Sequence, residues 1–255
     1  MATKLSRFLA AFNDIEQRLR DLTDTDDGLA FGVVLSKALD VSSEARAYQH
    51  ELRQFATLRN AIVHRPLRGG RPIADPRADA VTRIEEIRRA ICLPSSLNGV
   101  VARDVFVATM AMPIGDAATR MFDNDFSQLP VLDQGHVTGL LTSQAIARWM
   151  TREIIARRQP NLATPVSEVV DCDPESTFVV VDRSATVMRA LELFEDYELG
   201  GRALHAVILV TNVDGGAVIG IATVADLPRL HLAAAPYVRP SFWAQSGGAS
   251  KSSAR

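Results

Sequence analysis

Two stretches decide the fold of this 255-residue chain: FSQLPVLDQGHVTGLLT at residues 126–142 and HAVILVTNVDGGAVIGIATVADL at residues 205–227. In the first, Gly135, Gly139 and Thr142 are spaced four and three apart; in the second, Gly216, Gly220 and Thr223 repeat that spacing 81 residues further on. Each glycine set lies between two apolar runs, 129–132 and 137–141 in one stretch, 207–210 and 218–222 in the other. That pattern reads as a β-hairpin with a helical segment on either side. The repeat unit is therefore helix, strand, turn, strand, helix, present twice.

Working outward, short β-branched runs alternate with helical stretches from about Val100 onward, as in an α/β domain. The first 92 residues differ: apolar residues recur at three and four through Leu5, Phe8, Leu9, Phe12, Ile15 and Leu19, and again in Ile84, Ile87 and Ile91. Breaks at DLTDTDDG with Gly28, at 41–43 and at RPLRGGRPIADP divide this part into four helices. The expected fold is multidomain, α and α/β: a helical bundle at 1–92, then a tandem α/β module with copies at 100–158 and 165–232. The Gly/Ser-rich tail at 233–255 has a composition that cannot bury a core and is expected to be disordered.

Composition excludes several classes. With 47% hydrophobic residues, 23% charged and a net charge of −2, the chain is neither globally disordered nor a nucleic-acid binder over its whole surface. Cys92 and Cys172 stand far apart, without the spacing of a zinc cluster or a disulfide framework, which fits a reducing cytoplasm. No run approaches the roughly 20 apolar residues of a membrane span, so no membrane partner is expected. The N-terminus reads as a first helix rather than a signal peptide. DLTDTDDG lacks the terminal Glu of a calcium loop, and the five His residues show no metal-ligand spacing.

The double unit at 100–232 resembles a tandem pair of CBS domains, regulatory modules of the Bateman type that often bind adenosine-containing ligands. The second copy keeps the pattern of glycine, two apolar residues, Thr, two residues and Asp as GIATVADL. The resemblance implies that Asp226 accepts hydrogen bonds from ribose hydroxyls, with Thr223 near the ribose or phosphate, and that ATP, ADP or AMP is the regulatory ligand. No cofactor is required. A carboxylate at a helix start is held ionised by backbone amides and suits a vicinal diol. A second reading stands beside this one, in which Thr223 caps the helix beginning near Val224 and both residues serve only that start. In the first copy Ala145 stands where the pattern has Asp, so at most one strong site per pair is expected, around Asp226, with the first cleft weak or empty. Arg183, Arg202 and Arg229 are candidates to neutralise phosphate, and equally ordinary surface charges.

The helical part carries FATLRNAIVHRP at 55–66. At about 100° per residue, Leu52, Phe55, Ala56, Leu58, Ile62 and Val63 draw an apolar face, and Arg59 falls near its middle. Pro66 disfavours helix at Arg65, so the helix should end at His64, where the dipole favours imidazolium. Arg59, Asn60 and His64 together resemble the motif of the HEPN superfamily, helical bundles whose metal-independent RNases carry Arg, a polar residue, and His four to six residues after the Arg. The resemblance implies a homodimer with both motifs lining one cleft over an RNA phosphate. His64 would then shuttle the proton, Arg59 stabilise the transition state and Asn60 support them. Alternatives are a buried Arg59 ion pair, a capping His64, or a dimer surface without catalysis. In that last case the protein is a regulatory adaptor. From Arg53 to Arg77 six Arg face the single acid Asp75, a footprint suited to phosphate in a chain with only three Lys.

Overall fold

The computed structural model describes residues 3–64, 74–101, 104–201 and 203–234, excepting the side chains of His64 and Leu199. The basic loop, Arg202 and nearly all of the tail expected to be disordered lie outside these residues. The chain divides into two units, Met1–Ser95 with His231–Arg255, and Ser96–Leu230.

In the first unit the four helices read from the sequence are α1 (Lys4–Thr23), α2 (Phe31–Val41), α3 (Ser43–His64) and α4 (Ala78–Cys92). The Thr3 hydroxyl accepts the Ser6 N–H at 3.1 Å and opens α1, while Asp24, at φ 47°, ends it in the left-handed region. Ser42 does for α3 what Thr3 does for α1: its hydroxyl accepts from the Ala45 N–H at 3.1 Å. Apolar residues at three- and four-residue spacing then share one core, with Phe8, Phe12, Ile15 and Leu19 of α1 against Leu35 of α2, Leu52 of α3 and Ile84 and Ile87 of α4.

Along α3 the buried stripe runs Ala45, Tyr48, Leu52, then half-buried Phe55, and finally Ile62. Arg59 occupies the stripe position between Phe55 and Ile62, as the periodicity required. Val63, expected on the same face, is instead 43% exposed, because the next stripe position after Arg59 is taken by Ile62.

The second unit holds two copies of one pattern. The first consists of β1 (Ala108–Thr109), α5 (Ile114–Asp123), β2 (Gln128–Asp133), β3 (His136–Thr142) and α6 (Ser143–Ile155). The second consists of β4 (Phe178–Asp182), α7 (Val187–Leu199), β5 (Ala206–Val210), β6 (Val218–Thr223) and α8 (Leu227–Ala234). Both predicted hairpins are present, β2 antiparallel to β3 and β5 to β6, and each shifts register once, at Val131/Leu132 and at Leu209/Val210. Gly135 takes φ 84° in the first hairpin turn, a conformation that glycine adopts without strain.

Each copy also begins with a strand that the sequence reading lacks, β1 parallel to β2 and β4 parallel to β5. The unit is thus strand, helix, strand, strand, helix, with the first helix of each copy connecting a parallel pair of strands. The two sheets share a core in which Leu140 meets Ala206, Ile208 and Val210.

The copies exchange their leading segments. Ser96, ahead of the first copy, bridges to Thr186 at the start of α7, and the Leu97 N–H donates to the Ala185 carbonyl at 2.9 Å. Pro165, ahead of the second copy, bridges to Pro113 at the start of α5, and the Ile114 N–H donates to the Thr164 carbonyl at 2.8 Å. Short 3-10 turns follow at Leu97–Gly99 and Val166–Glu168. Each copy therefore carries its partner's leading segment on its first helix.

Candidate functional site

The strand-to-helix junction of the second copy brings Thr223 and Asp226 together. Asp226 Oδ2 accepts the Thr223 N–H at 2.9 Å and the Thr223 hydroxyl at 3.2 Å. Its other oxygen faces the Arg229 guanidinium at 3.6 Å, and Arg229 also donates to the Val100 carbonyl at 2.8 Å. The Asp226 side chain keeps 20% of its surface exposed, so the carboxylate is held in place yet reachable. Arg183 is exposed.

The α-helix does not begin at Val224, as the sequence suggested. It begins at Leu227, after a 3-10 turn over Val224–Asp226. The reason is Pro228: an α-helix from Val224 would need the N–H of residue 228, which proline lacks, so the Leu227 N–H takes the Val224 carbonyl instead.

The corresponding junction in the first copy is built differently. Thr142 caps α6 by accepting the Ala145 N–H at 2.9 Å, and its hydroxyl donates to Asp173 Oδ2 at 2.8 Å. Asp173 is only 5% exposed and Ala145 is fully buried. Val169 and Val170 close over the strand here, where a Cβ on Gly139 would come within 2.9 Å of Val170. Asp173 went unnoticed in the sequence because its partner lies 31 residues away and the turn that delivers it has no periodic signature. Counted from the two 3-10 turns, its equivalent in the other copy is Asp104, which is exposed with φ 59°. Asp173 and Ala145 are thus buried at the first junction, whereas the Asp226 side chain at the second keeps 20% of its surface exposed.

In the helical unit the Arg59 guanidinium lies over the Phe12 ring, 6.0 Å from its centroid, and donates to Asn60 Oδ1 at 3.3 Å. Asn60 is exposed. His64 is the last described residue of α3; its side chain, and Arg65 and Pro66 on which the expected helix end rests, lie outside the described residues. Arg59 and Asn60 border a cleft of about 590 Å³ between α1, the loop after it, α2 and α3. Its floor is fixed by Arg20, 7% exposed, which pairs with Glu16 at 2.5 Å and donates to the carbonyls of Asp26 at 2.6 Å and Leu29 at 2.8 Å. Phe31 tilts against Phe12 with centroids 4.8 Å apart on the same wall. The sequence pointed to Arg59 and Asn60; the cleft beside them is assembled from three helices and has no local signature.

Elsewhere in this unit Arg83 pairs with Glu51 at 2.7 Å and Glu86 at 3.0 Å beside Tyr48, whose hydroxyl burial pushes well above its ordinary pKa. Among the described residues no cluster of His, Cys, Asp and Glu is arranged to hold a metal, and no helix is long and apolar enough to cross a membrane.

The family model described as "CBS domain" matches residues 97–152 and 166–230. No curated protein matches the chain. Among solved structures, CBSX2 in complex with AMP is similar at 18% identity, over 54% of this chain and 96% of that one, with a TM-score of 0.40. The CBS domain pair of protein MJ0100, in complex with 5′-methylthioadenosine and S-adenosyl-L-methionine, is similar at 19% identity, over 54% and 95%, with a TM-score of 0.39. An acetoin utilization protein (AcuB) from Vibrio cholerae is similar at 16% identity, over 58% and 100%, with a TM-score of 0.43.

Proposed function

Since residues 97–230 carry a tandem pair of CBS domains, we propose that this chain is a regulatory protein in which the pair binds an adenine nucleotide and governs a HEPN-like helical domain that cuts RNA without a metal. The observation that carries the nucleotide reading is the Asp226 carboxylate, positioned by Thr223 and still 20% exposed at the second junction. Two carboxylate oxygens accept the 2′- and 3′-hydroxyls of a ribose, and Thr223 exchanges its bond to Asp226 for one to ligand. Arg229, already beside Asp226, supplies positive charge for phosphate.

The catalytic part rests on the Arg59 and Asn60 pair at the cleft edge, one turn before His64. In a homodimer with two such sets, one His64 takes the proton of the ribose 2′-hydroxyl, which attacks the neighbouring phosphorus. The other His64 protonates the leaving 5′-oxygen, giving a 2′,3′-cyclic phosphate. The Arg59 guanidinium stabilises the extra charge on the phosphorane-like transition state, with Asn60 holding its orientation.

The packing of Arg59 on Phe12 favours a second reading, in which this segment is structural and the helical domain is an adaptor that dimerises or docks on a partner. Incubating total RNA with wild type, His64→Ala and Arg59→Lys in EDTA separates the two. Cleavage by wild type alone supports the nuclease, since a point ammonium does not replace the planar guanidinium. Folded variants as active as wild type, or no cleavage by any of the three, leave the adaptor.

A further inference from the structure

We infer that Arg229 carries the action of a phosphate-bearing ligand at Asp226 to the helical unit, by exchanging the Val100 carbonyl for the phosphate. This relay rests on the nucleotide reading above and gives it a transmitting residue. The chain passes between its two units twice, at Ser95–Ser96 and, inside α8, at Leu230–His231. α8 has eight residues, about 12 Å of helix. Its two buried side chains stand one turn apart on either side of that division, Leu230 as the last residue of one unit and Ala234 in the other. A short helix anchored in this way moves as one piece, so a displacement at its first turn reaches its last.

Each unit ties the two passing segments to each other by a hydrogen bond. In the helical unit the Ser95 hydroxyl donates to the Ala233 carbonyl at 3.2 Å. In the other unit Arg229 of α8 donates to the Val100 carbonyl at 2.8 Å, directly after the 3-10 turn Leu97–Gly99. Arg229 therefore stands where both passages can be influenced by a single side chain.

Its guanidinium also faces Asp226 Oδ1 at 3.6 Å, and 62% of the side chain is exposed, so a ligand at Asp226 can reach it. When Asp226 turns its oxygens to ribose hydroxyls, the guanidinium is left with one neutral acceptor. A phosphate beside it offers two charge-assisted bonds that match the planar fork, against a single bond to a carbonyl. The exchange frees Val100, and with it the segment that follows Ser95–Ser96, while α8 is drawn toward the ligand. Adenosine presents the same hydroxyls to Asp226 and no phosphate to Arg229, so it binds without the exchange. A ligand shifts an equilibrium only through an interaction that differs between the two states, and here that interaction is phosphate on Arg229.

The experiment measures amide hydrogen exchange in the full chain with AMP or adenosine, each at about ten times its own Kd. Both should slow exchange at residues 223–227. AMP should also speed exchange at 97–101 about threefold or more, where Val100 has lost its tie, and change it by a similar factor at 231–234 in the helical unit. Adenosine should leave those two segments unchanged. Arg229→Met keeps the aliphatic stem at an exposed position and removes the guanidinium. It should show the faster exchange at 97–101 without ligand, and AMP should add nothing there. Three results overturn the relay and leave nucleotide binding intact: adenosine acting on both segments as AMP does, AMP slowing 223–227 without reaching both, or a folded Arg229→Met in which AMP still speeds 97–101. No slowing at 223–227 with either ligand removes the nucleotide reading and the relay together.

Discussion

Asp226 and Thr223 close on each other at the start of the last helix, the carboxylate accepting both the backbone N–H and the hydroxyl of the threonine at 2.9 and 3.2 Å. The same two residues serve the fold and the proposed ligand, and substitution separates these roles. Without nucleotide, Asp226→Ala should cost about 1 kcal/mol, the ordinary value of a lost helix-start contact. With AMP, ADP or ATP at about 100 times its Kd, wild type should gain about 2.7 kcal/mol by mass action and melt several degrees higher. Asp226→Ala should lose most of that gain. Calorimetric titration checks it, and unchanged affinity in the variant removes Asp226 from the site.

Thr142 and Asp173 form the counterpart contact in the first copy, but in a buried setting that leaves no room for the same use. Asp173→Ala should destabilise the chain by about 1 to 3 kcal/mol, because the Thr142 hydroxyl loses its acceptor away from water. Thr142→Val should cost a similar amount by stranding the Asp173 carboxylate. The double variant should cost less than the sum, by roughly 0.5 to 3 kcal/mol. Urea unfolding of the four proteins measures this coupling, and strict additivity would show that the pair contributes nothing. Nucleotide affinity should be unchanged in all four.

Burial lowers the pKa of His231 below its ordinary 6.5. Between the depressed folded value and 6.5 the unfolded chain binds more protons than the folded one, so stability rises with pH through that window. The contribution is complete above 6.5 and is lost as pH falls toward the folded value. Denaturant midpoints at pH 5.5 and 7.5 should therefore differ more in wild type than in His231→Gln. An equal difference in the two proteins assigns the slope to other groups.

Much of this architecture was legible in the residues. Glycine and threonine spacing located both hairpins because a turn demands particular residues at particular places, and a 3.6-residue period located four helices and put Arg59 on the core stripe of α3. The leading strands escaped for a physical reason. β1 is two residues long, and β4 is half-buried at every position, so neither shows the alternation that marks a strand with one solvated face. Pro228 was visible, yet its consequence, a 3-10 turn before α8, required following one missing N–H through the hydrogen-bond ladder. The Asp173 contact and the cleft beside Arg59 join segments distant in sequence, which no local pattern encodes.

The claim that nucleotide in the CBS pair governs RNA cleavage by the helical domain is tested most directly by one ratio, the cleavage rate of the full chain in EDTA with saturating adenine nucleotide over the rate without it. In wild type the ratio should depart from one by fivefold or more in either direction, equivalent to about 1 kcal/mol of coupling. In Asp226→Ala it should return to one while basal cleavage persists. A ratio of one in wild type, the same departure in both proteins, or no cleavage under any condition would contradict the account.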